Sequence, residues 1–271
     1  MHEKITHTNS NNETLDFTAL GILVNYNDLR DYEWGMKTKN DKITGFYKGV
    51  VKKTIPFVFC VDEHEADEIK NRFYEHFEID VLQKRKGYFE INGYKYYCFA
   101  VKSVKSNYLI NKRHLRINVG IATDDSYWIK ETSYTADFSS SSARTVTKYP
   151  FTYPFTYSAP KTVSIVNDSF NDTDMIMRVY GTCTNPIVNI SNNTYQLYLT
   201  LNAGEYAEID TFRRTITKYS VNGVQSNIFD TRNKSYDTFR KIPQGSFDVT
   251  TVGAVKVDIV LVERRGEPKW S

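Results

Sequence analysis

The chain has 271 residues and a formal charge of +3 at pH 7, with 40% apolar and 14% aromatic residues. So small a charge argues against a nucleic-acid binder, which would carry a clustered basic face, and no apolar run reaches the roughly 18–20 residues that cross a bilayer. The length predicts two domains of roughly 100–150 residues each. The 20 Tyr and 16 Phe favour β structure, because aromatic side chains suit pleated, half-buried surfaces.

The N-terminal part of the chain begins with a polar stretch and continues with strand-like segments. We expect a polar tail over residues 1–12. It lacks the apolar segment of a secretory signal, so we expect synthesis and folding in a cytosol. A first domain is predicted over residues 13–135. Its first strands are predicted at Leu15–Val24 and Val50–Val61, and Asn25–Met36 between them is rich in turn residues.

One segment, Asp62–Phe77, has the pattern of an amphipathic helix. Asp62 is followed three residues later by Glu65, an arrangement similar to a capping box at a helix start. Four apolar residues recur at helical spacing and form one stripe that must pack on a sheet: Ala66, Ile69, Phe73 and Phe77. The sequence therefore predicts a mainly β domain with one helix.

After the helix the hydrophobic period returns to two, which is typical of strands. Asn92-Gly93 lies between the strand patterns Gly87–Ile91 and Tyr94–Val104. Asn and Gly tolerate the positive φ of a type I′ turn, so this dipeptide predicts a tight hairpin. The segment Asn107–Ala122 predicts a further strand with one apolar face: Leu115, Ile117, Val119 and Ile121.

A change of composition separates the two halves of the chain. We interpret residues 136–160 as a Ser/Pro/aromatic linker or arm, in which Tyr-Pro-Phe-Thr occurs twice in tandem. Residues that precede Pro are pushed towards extended geometry. Five aromatic residues of this arm are candidate interface residues: Tyr149, Phe151, Tyr153, Phe155 and Tyr157. Aromatic side chains dominate contact energies, but a linker that packs on its own domains is an equally good interpretation.

The second domain is predicted over residues 161–271. Short strand patterns alternate with turn residues, for example at Val163–Asn167, Ile187–Ile190, Tyr195–Leu201 and Tyr206–Asp210, and no window has a helical stripe. Several short strands at regular spacing predict a β-sandwich or jelly roll.

No pattern in the chain indicates catalysis, a cofactor or a metal. Gly-x-Ser-x-Gly and the glycine-rich phosphate loops are absent. His64 and Glu68 would share a helix face, but two ligands do not make a zinc site. The other histidines, His2, His7, His76 and His114, are scattered and predict surface or structural roles. The sequence therefore predicts a protein that is not an enzyme and binds no cofactor or metal.

The three cysteines are odd in number and widely spaced, which argues against a disulfide framework. Cys60 and Cys98 lie in apolar strand patterns and are predicted to be small buried residues. Cys183 offers no further signal.

Several motifs in order resemble one known family. Arg178–Val224 contains a strand ending in Gly, an Asn-Pro turn, an Asn-rich hairpin, and then "LNAGE" and "IDT"; "FRKIPQGSFDV" and the alternating strand "VKVDIVLVERR" follow. This order resembles the C-terminal half of the distal tail proteins (Dit) of long-tailed, siphovirus-type phages. In the first half "ATDDSYWIKE" is similar to the family's Asp-Pro-Tyr ending, with Ser126 in place of Pro. The resemblance covers the chain beyond residues 1–12.

The resemblance implies a fold and a role. It implies an N-terminal β-sandwich-like domain that forms a homohexameric ring, followed by a galectin-like, jelly-roll-like β-sandwich. Such proteins lie at the virion tail tip or baseplate and join the tail tube protein to the hub or tail-associated lysin. They often carry receptor-binding proteins for host attachment. Val50–Val61 or the aromatic arm is our hypothesis for part of the ring contact, since closing a ring pairs exposed strand edges.

Two other functions remain open. A carbohydrate-binding module that contacts a host wall glycan is the first, with Tyr195, Tyr198 and Tyr206 as a candidate sugar platform. Trp is the usual platform, but Trp34 and Trp128 fall in the first domain and Trp270 lies at the C-terminus. An enzyme such as a wall hydrolase is a distant third, because no catalytic set is visible.

Overall fold

The computed structural model describes residues 3–24, 27–106, 114–138 and 163–270. The chain is mainly β, as predicted, and the described residues contain one α-helix. It divides into two compact units: unit 1 is Met1–Lys130 with Arg264–Ser271, and unit 2 is Glu131–Glu263.

The C-terminal boundary differs from the one expected from the sequence, because the last residues belong to unit 1. Arg30 explains this. Its guanidinium donates to the Pro268 carbonyl at 2.9 Å, pairs with Glu267 at 3.3 Å, and lies 3.8 Å from the centroid of the Trp270 ring. Arg264 also pairs with Asp125 at 3.3 Å. The composition of residues 264–271 alone does not reveal these partners.

Among its described residues, unit 1 holds ten strands and the helix, and the longest ladder joins two strands over ten residue pairs. The elements are β1 Thr6–Thr8, β2 Thr14–Asp16, β3 Ile22–Val24, β4 Gly35–Lys39, β5 Lys42–Tyr47, β6 Val51–Cys60, α1 Ala66–Gln83, β7 Gly87–Ile91, β8 Tyr94–Ser106, β9 His114–Thr123 and β10 Trp128–Asp137, which ends in unit 2. β9 pairs with both β6 and β8, and β7 pairs with both β8 and β1. These four pairings are antiparallel.

The helix is confirmed, but its bounds differ from Asp62–Phe77. It runs from Ala66 to Gln83, with Glu65 at the N-cap and no side-chain cap hydrogen bond, so the capping-box prediction is wrong. Residues before Ala66 form a turn instead, in which the Glu65 amide donates to the Asp62 carbonyl. At the other end Lys84 adopts φ 54°, a left-handed C-cap that terminates the helix.

An aromatic core explains why the helix packs where it does. The predicted stripe is confirmed: Ala66, Phe73 and Phe77 are buried and Ile69 is half-buried. Phe73 lies 5.1 Å, centroid to centroid, from Phe57 on β6. Burying one such ring stabilises the fold by about 1.5–3 kcal/mol. The stripe therefore fixes the helix against the sheet.

Two further predictions for unit 1 hold. Asn92 and Gly93 take φ values of 51° and 77° and connect β7 to β8, as a type I′ turn requires. The four apolar residues of β9 are all buried: Leu115, Ile117, Val119 and Ile121. The predicted strand Leu15–Val24 is instead divided into β2 and β3, because residues 17–21 form a turn in which the Ile22 amide donates to the Phe17 carbonyl.

Unit 2 contains two larger antiparallel sheets and one core. Its remaining strands are β11 Val163–Asn167, β12 Asp174–Tyr180, β13 Cys183–Thr184, β14 Ile187–Ile190, β15 Asn193–Gln196, β16 Thr200–Leu201, β17 Tyr206–Asp210, β18 Thr215–Tyr219, β19 Gln225–Asn227, β20 Gly245–Val252 and β21 Lys256–Arg265, whose last two residues lie in unit 1. Within unit 2, one sheet has the order β19-β18-β17-β12-β21-β10 and the other β11-β20-β14-β15. Both sheets bury side chains in a common core, for example Met177 on β12 and Val249 on β20.

Most strand predictions in unit 2 are correct, and one is wrong. The bounds of β11, β14 and β17 match the predicted ones. The predicted strand Tyr195–Leu201 is broken into β15 and β16. The reason lies outside the segment: Leu197 forms an isolated bridge with Arg232, and the Tyr198 amide donates to the Thr231 carbonyl at 2.6 Å. These partners pull the middle of the segment out of the regular ladder.

Candidate functional site

Strands β4 and β5 form a hairpin that pairs with no other strand among the described residues. It was not predicted, because residues 35–47 follow a turn-rich segment and lack the usual Asn-Gly. The available signal was Asn40-Asp41, which takes φ values of 51° and 58°, again as a type I′ turn requires. A lone two-stranded hairpin is marginally stable in water, so this one needs support from its base or from a partner.

The hairpin has one apolar and one basic face. Met36 lies opposite Phe46, and Thr38 opposite Ile43, so these four side chains share a face. Met36, Ile43 and Phe46 are 57%, 55% and 61% exposed. The opposite face bears three lysines and a tyrosine: Lys37, Lys39, Lys42 and Tyr47. The Tyr47 ring covers Gly35. An exposed apolar face of this kind marks an interaction surface.

An aromatic box holds the base of the hairpin. The Lys48 ammonium lies 4.4 Å from the ring centroid of Tyr127, 5.0 Å from Trp34 and 5.9 Å from Tyr32, and it donates to the Ser126 carbonyl at 2.8 Å. Partial burial lowers the Lys48 pKa. Cation–π contacts of this type are each worth about 0.5–1 kcal/mol at exposed sites. The box therefore orients the hairpin where it leaves the body of unit 1.

A cluster of polar side chains is buried beneath the N-terminal strand β1. The Asn9 side-chain amide donates to His76 Nδ1 at 3.3 Å, so this nitrogen carries no proton. His76 Nε2 then donates to His7 Nδ1 at 2.9 Å, and the protonated Nε2 of His7 faces Asp80 Oδ2 at 4.0 Å. Asp80 Oδ1 accepts the Ser10 amide at 2.6 Å. This order of donors makes both imidazoles neutral.

Burial shifts each pKa in this cluster so that the neutral form of the group is favoured. Desolvation, with repulsion from His76, lowers the pKa of His7 well below its usual value. Desolvation lowers the pKa of His76 to about 4 and raises the pKa of Asp80. His7 also packs 4.5 Å from the Phe77 ring centroid. The cluster ties β1 to the helix, and we call the segment Thr6–Asp16, with its buried contacts, the N-terminal clasp.

The clasp corrects the expectation of a polar tail over residues 1–12. β1 lies between β2 and β7, and its central residue pairs with Phe89. The histidines were treated as scattered because His7 and His76 are 69 positions apart. The helical stripe gave the one available signal, since His76 precedes Phe77 on the buried side of α1.

The predicted linker over residues 136–160 is wrong at its start, because β10 continues to Asp137 and Ala136 is buried in the core of unit 2. Residues 139–162, which contain the aromatic repeat, lie outside the described residues. The five candidates of the aromatic arm, Tyr149, Phe151, Tyr153, Phe155 and Tyr157, therefore stay predictions. The other ring-contact hypothesis concerned Val50–Val61. Within it, β6 pairs with β9 along its whole length and with β3 at Phe57–Phe59, so among the described residues only its first half has an unpaired edge.

The three candidate sugar-platform residues do not lie on one surface. Tyr195 is 2% exposed and its hydroxyl donates to the Arg240 carbonyl, so it is a core residue and the prediction for it is wrong. Tyr206 is half-buried, and its ring stacks on Tyr219 at 4.5 Å with an interplanar angle of 8°. Tyr198 is 52% exposed. Alternation alone could not tell which side of each strand faces the core.

No cluster of three or more His, Cys, Asp or Glu side chains converges on a metal-sized site within the described ranges. His64 precedes the helix, so it does not share a helix face with Glu68. Cys98 is buried, as predicted. Cys60 is exposed, because it is the last residue of β6 and its side chain lies on the face of the strand that points away from the core. In the part of the chain that the structure describes, no helix is long and apolar enough to span a membrane.

Comparison of the structure with solved proteins gives a match over the whole length. The crystal structure of phage SPP1 Dit (gp 19.1), described as a paradigm of the hub adsorption apparatus of phages that infect Gram-positive bacteria, superposes with a TM-score of 0.55 at 12% identity, over 96% of this chain and 99% of that one. The fold is that of SPP1 Dit. A chain of the phage P2 baseplate in its activated conformation with Ca matches with a TM-score of 0.56 at 10% identity, over 99% of this chain and 100% of that one.

The same P2 baseplate with Sr gives a TM-score of 0.56 at 9% identity. No protein-family model matches the sequence, and no curated protein matches it. The likeness to Dit is therefore one of fold, and at such identities it does not extend to individual residues.

Proposed function

We propose that this chain is a structural protein of a phage tail tip, of the distal tail protein type. One observation carries the proposal: the likeness to SPP1 Dit and to the P2 baseplate chain covers at least 96% of this chain and at least 99% of each of those chains. A partial match to one domain would support only a common building block. Here the order of both units is retained, as expected for proteins that occupy the same place in an assembly.

The role that follows is that of an adaptor without catalytic function. Copies of the chain form a homohexameric ring at the distal end of the tail, after synthesis in the cytoplasm of a bacterial host. The ring joins the tail tube protein to the hub or tail-associated lysin and offers a site for a receptor-binding protein. The exposed apolar face of the hairpin supports this role, because an adaptor must present surface to neighbours. Unit 2 acts as the galectin-like domain of the family.

Mass photometry and negative-stain imaging of the purified chain test the ring. We expect a species near six times the 31.5 kDa chain mass, with a central opening in the images. Assembly should grow with protein concentration, since the contacts are intermolecular. A chain that stays monomeric from nanomolar to micromolar concentrations would refute the proposal.

Carbohydrate binding by unit 2 has less support. Of the three proposed tyrosines, Tyr198 alone is more than half exposed, and one isolated tyrosine is a weak platform. Host cell-wall sedimentation with the full chain and with Tyr198→Ala decides the question: binding that Tyr198→Ala abolishes would favour this second function.

A further inference from the structure

A second exposed apolar surface lies in unit 1, between α1 and β8. It is a groove of about 500 Å³ whose floor includes the buried residues Phe73, Phe77 and Val119. Its rim contains Val81 from the helix and Val101 from β8, which are 43% and 54% exposed. Among the described residues the groove is therefore open and mainly apolar, and the apolar face of the hairpin is exposed as well.

The two surfaces are both apolar and exposed. The hairpin has three large apolar side chains on one face, and the groove is an apolar recess between a helix and a strand. Because Phe46 and Val81 are both exposed, neither surface covers the other within one chain. Each surface is therefore uncovered in the single described chain and could be covered by the other surface of a second copy.

The formal charges of the two regions have opposite signs. Residues 35–47 contain three lysines and one aspartate, a formal +2. Besides the buried Asp80, residues 62–83 contain seven exposed acidic side chains and two basic ones, a formal −5, and one of the seven, Glu78, lines the groove. The β8 side bears Lys102 and Lys105, so the attraction comes from the helix. The hairpin lysines face away from its apolar side, but a sheet is thin enough to keep them within the Debye length of about 8–10 Å from the helix.

We propose that the apolar face of the β4–β5 hairpin of one copy docks in the α1–β8 groove of a neighbouring copy. The inference rests on the proposed function, which requires that identical chains assemble. The contact is heterologous, because two different surfaces of the same chain meet. Repeated head to tail, such a contact closes into a ring when the rotation between neighbours is a whole fraction of a full turn. The aromatic box around Lys48 sets the direction in which the hairpin leaves unit 1.

Two substitutions and a matched control test the contact. Phe46→Glu places a charge on the hairpin face, and Val81→Glu places one on the groove rim. Val221→Glu is the control, since Val221 is 69% exposed in a turn of unit 2. Near-UV circular dichroism and thermal unfolding verify that each chain is folded. We expect Phe46→Glu and Val81→Glu each to raise the midpoint concentration of assembly at least roughly tenfold, and Val221→Glu to leave it unchanged.

Mixing the two defective chains gives a sharper result. The Phe46→Glu chain retains an intact groove and the Val81→Glu chain retains an intact hairpin, so a mixture has one productive contact for each pair. We expect mass photometry to show heterodimers in the mixture, monomers in each chain alone, and no ring in any of the three samples.

The failures are distinguishable. If the unaltered chain forms rings and Phe46→Glu or Val81→Glu forms them equally well, the docking inference is wrong and the adaptor role stands. If both substitutions abolish rings but the mixture gives no heterodimer, the two surfaces do not meet and the inference is again wrong. If the unaltered chain never assembles, both proposals fall.

Discussion

The N-terminal clasp and the β4–β5 hairpin are both short polar-rich segments of unit 1, and they differ in what covers them. β1 is inserted between two strands and its histidine is buried. The hairpin pairs only with itself in the described chain and exposes its apolar face. In these two segments, therefore, a polar side chain can be buried and an apolar side chain exposed, so polarity alone predicts burial poorly.

The difference depends on partners distant in sequence. Buried polar groups need hydrogen-bond partners, and in the clasp most of them come from the helix 67 to 70 positions away, although Asp80 Oδ2 is left without one. The described hairpin has no comparable set of buried hydrogen bonds, and its support comes from Lys48 at its base. Three changes test this difference between the clasp and the hairpin.

Gly87→Ala should break the clasp and has the largest expected effect. A Cβ at Gly87 would lie 2.3 Å from Asp80 Oδ2, 2.7 Å from His7 Cε1 and 2.7 Å from the Thr8 carbonyl oxygen. These groups are held on three sides, so none can move cheaply. We expect the free energy of unfolding to fall by about 3 kcal/mol, measured by urea denaturation.

Gly45→Ala in the hairpin is the matched control. A Cβ at Gly45 meets nothing within 4 Å. We expect a change within about 0.5 kcal/mol. Similar losses for Gly87→Ala and Gly45→Ala would mean that the clasp is not tightly packed.

Acidification should weaken the clasp and leave the hairpin unaffected. The folded pKa values of His7 and His76 are lowered, to about 4 for His76, whereas an unfolded histidine titrates near pH 6.5. Below that pH the unfolded state binds more protons, so stability is complete above pH 6.5 and is lost as the pH falls towards 4. The raised pKa of Asp80 acts in the opposite direction and offsets part of the loss.

A folded pKa of about 4 for His76 predicts a loss of about 2 kcal/mol in the free energy of unfolding between pH 7 and pH 5, and His7 adds to this loss. Urea denaturation across this range measures it. The double substitution His7→Gln with His76→Gln should flatten the slope, and His64→Gln, which alters an exposed histidine, should not. An unchanged slope in the double variant would show that other groups control the pH dependence.

Local patterns predicted much of the fold. The Asn92-Gly93 turn, the apolar face of β9 and the stripe on α1 follow from residues within a few positions of each other, where period and turn chemistry decide the structure. The division of Tyr195–Leu201 into β15 and β16 follows from a bridge to Arg232, and the sequence contains no local sign of it.

Less of the candidate site was predictable. The aromatic arm stands out in the sequence because its composition is unusual, whereas the hairpin has an ordinary composition and a weak turn signal, Asn40-Asp41. The two tyrosines of this segment differ in burial. The Tyr195 ring faces the core because of its position on β15, whereas Tyr198, just past the end of that strand, is exposed. Orientation at a strand end depends on tertiary bridges, which a single sequence does not reveal.

Lys48→Met should loosen the hairpin alone and has the smallest expected effect. Methionine retains the length of the side chain but removes the charge that the rings of Tyr32, Trp34 and Tyr127 surround, and it cannot donate to the Ser126 carbonyl. A loss of about 1 kcal/mol corresponds to roughly fivefold faster amide hydrogen exchange in residues 35–47. The experiment is done at concentrations at which the chain is monomeric, with Lys42→Met on the exposed basic face as the control. Because the clasp has its own partners, exchange at Thr6–Asp16 should stay unchanged; equal acceleration in both segments would show that the box supports the whole of unit 1 and not the hairpin in particular.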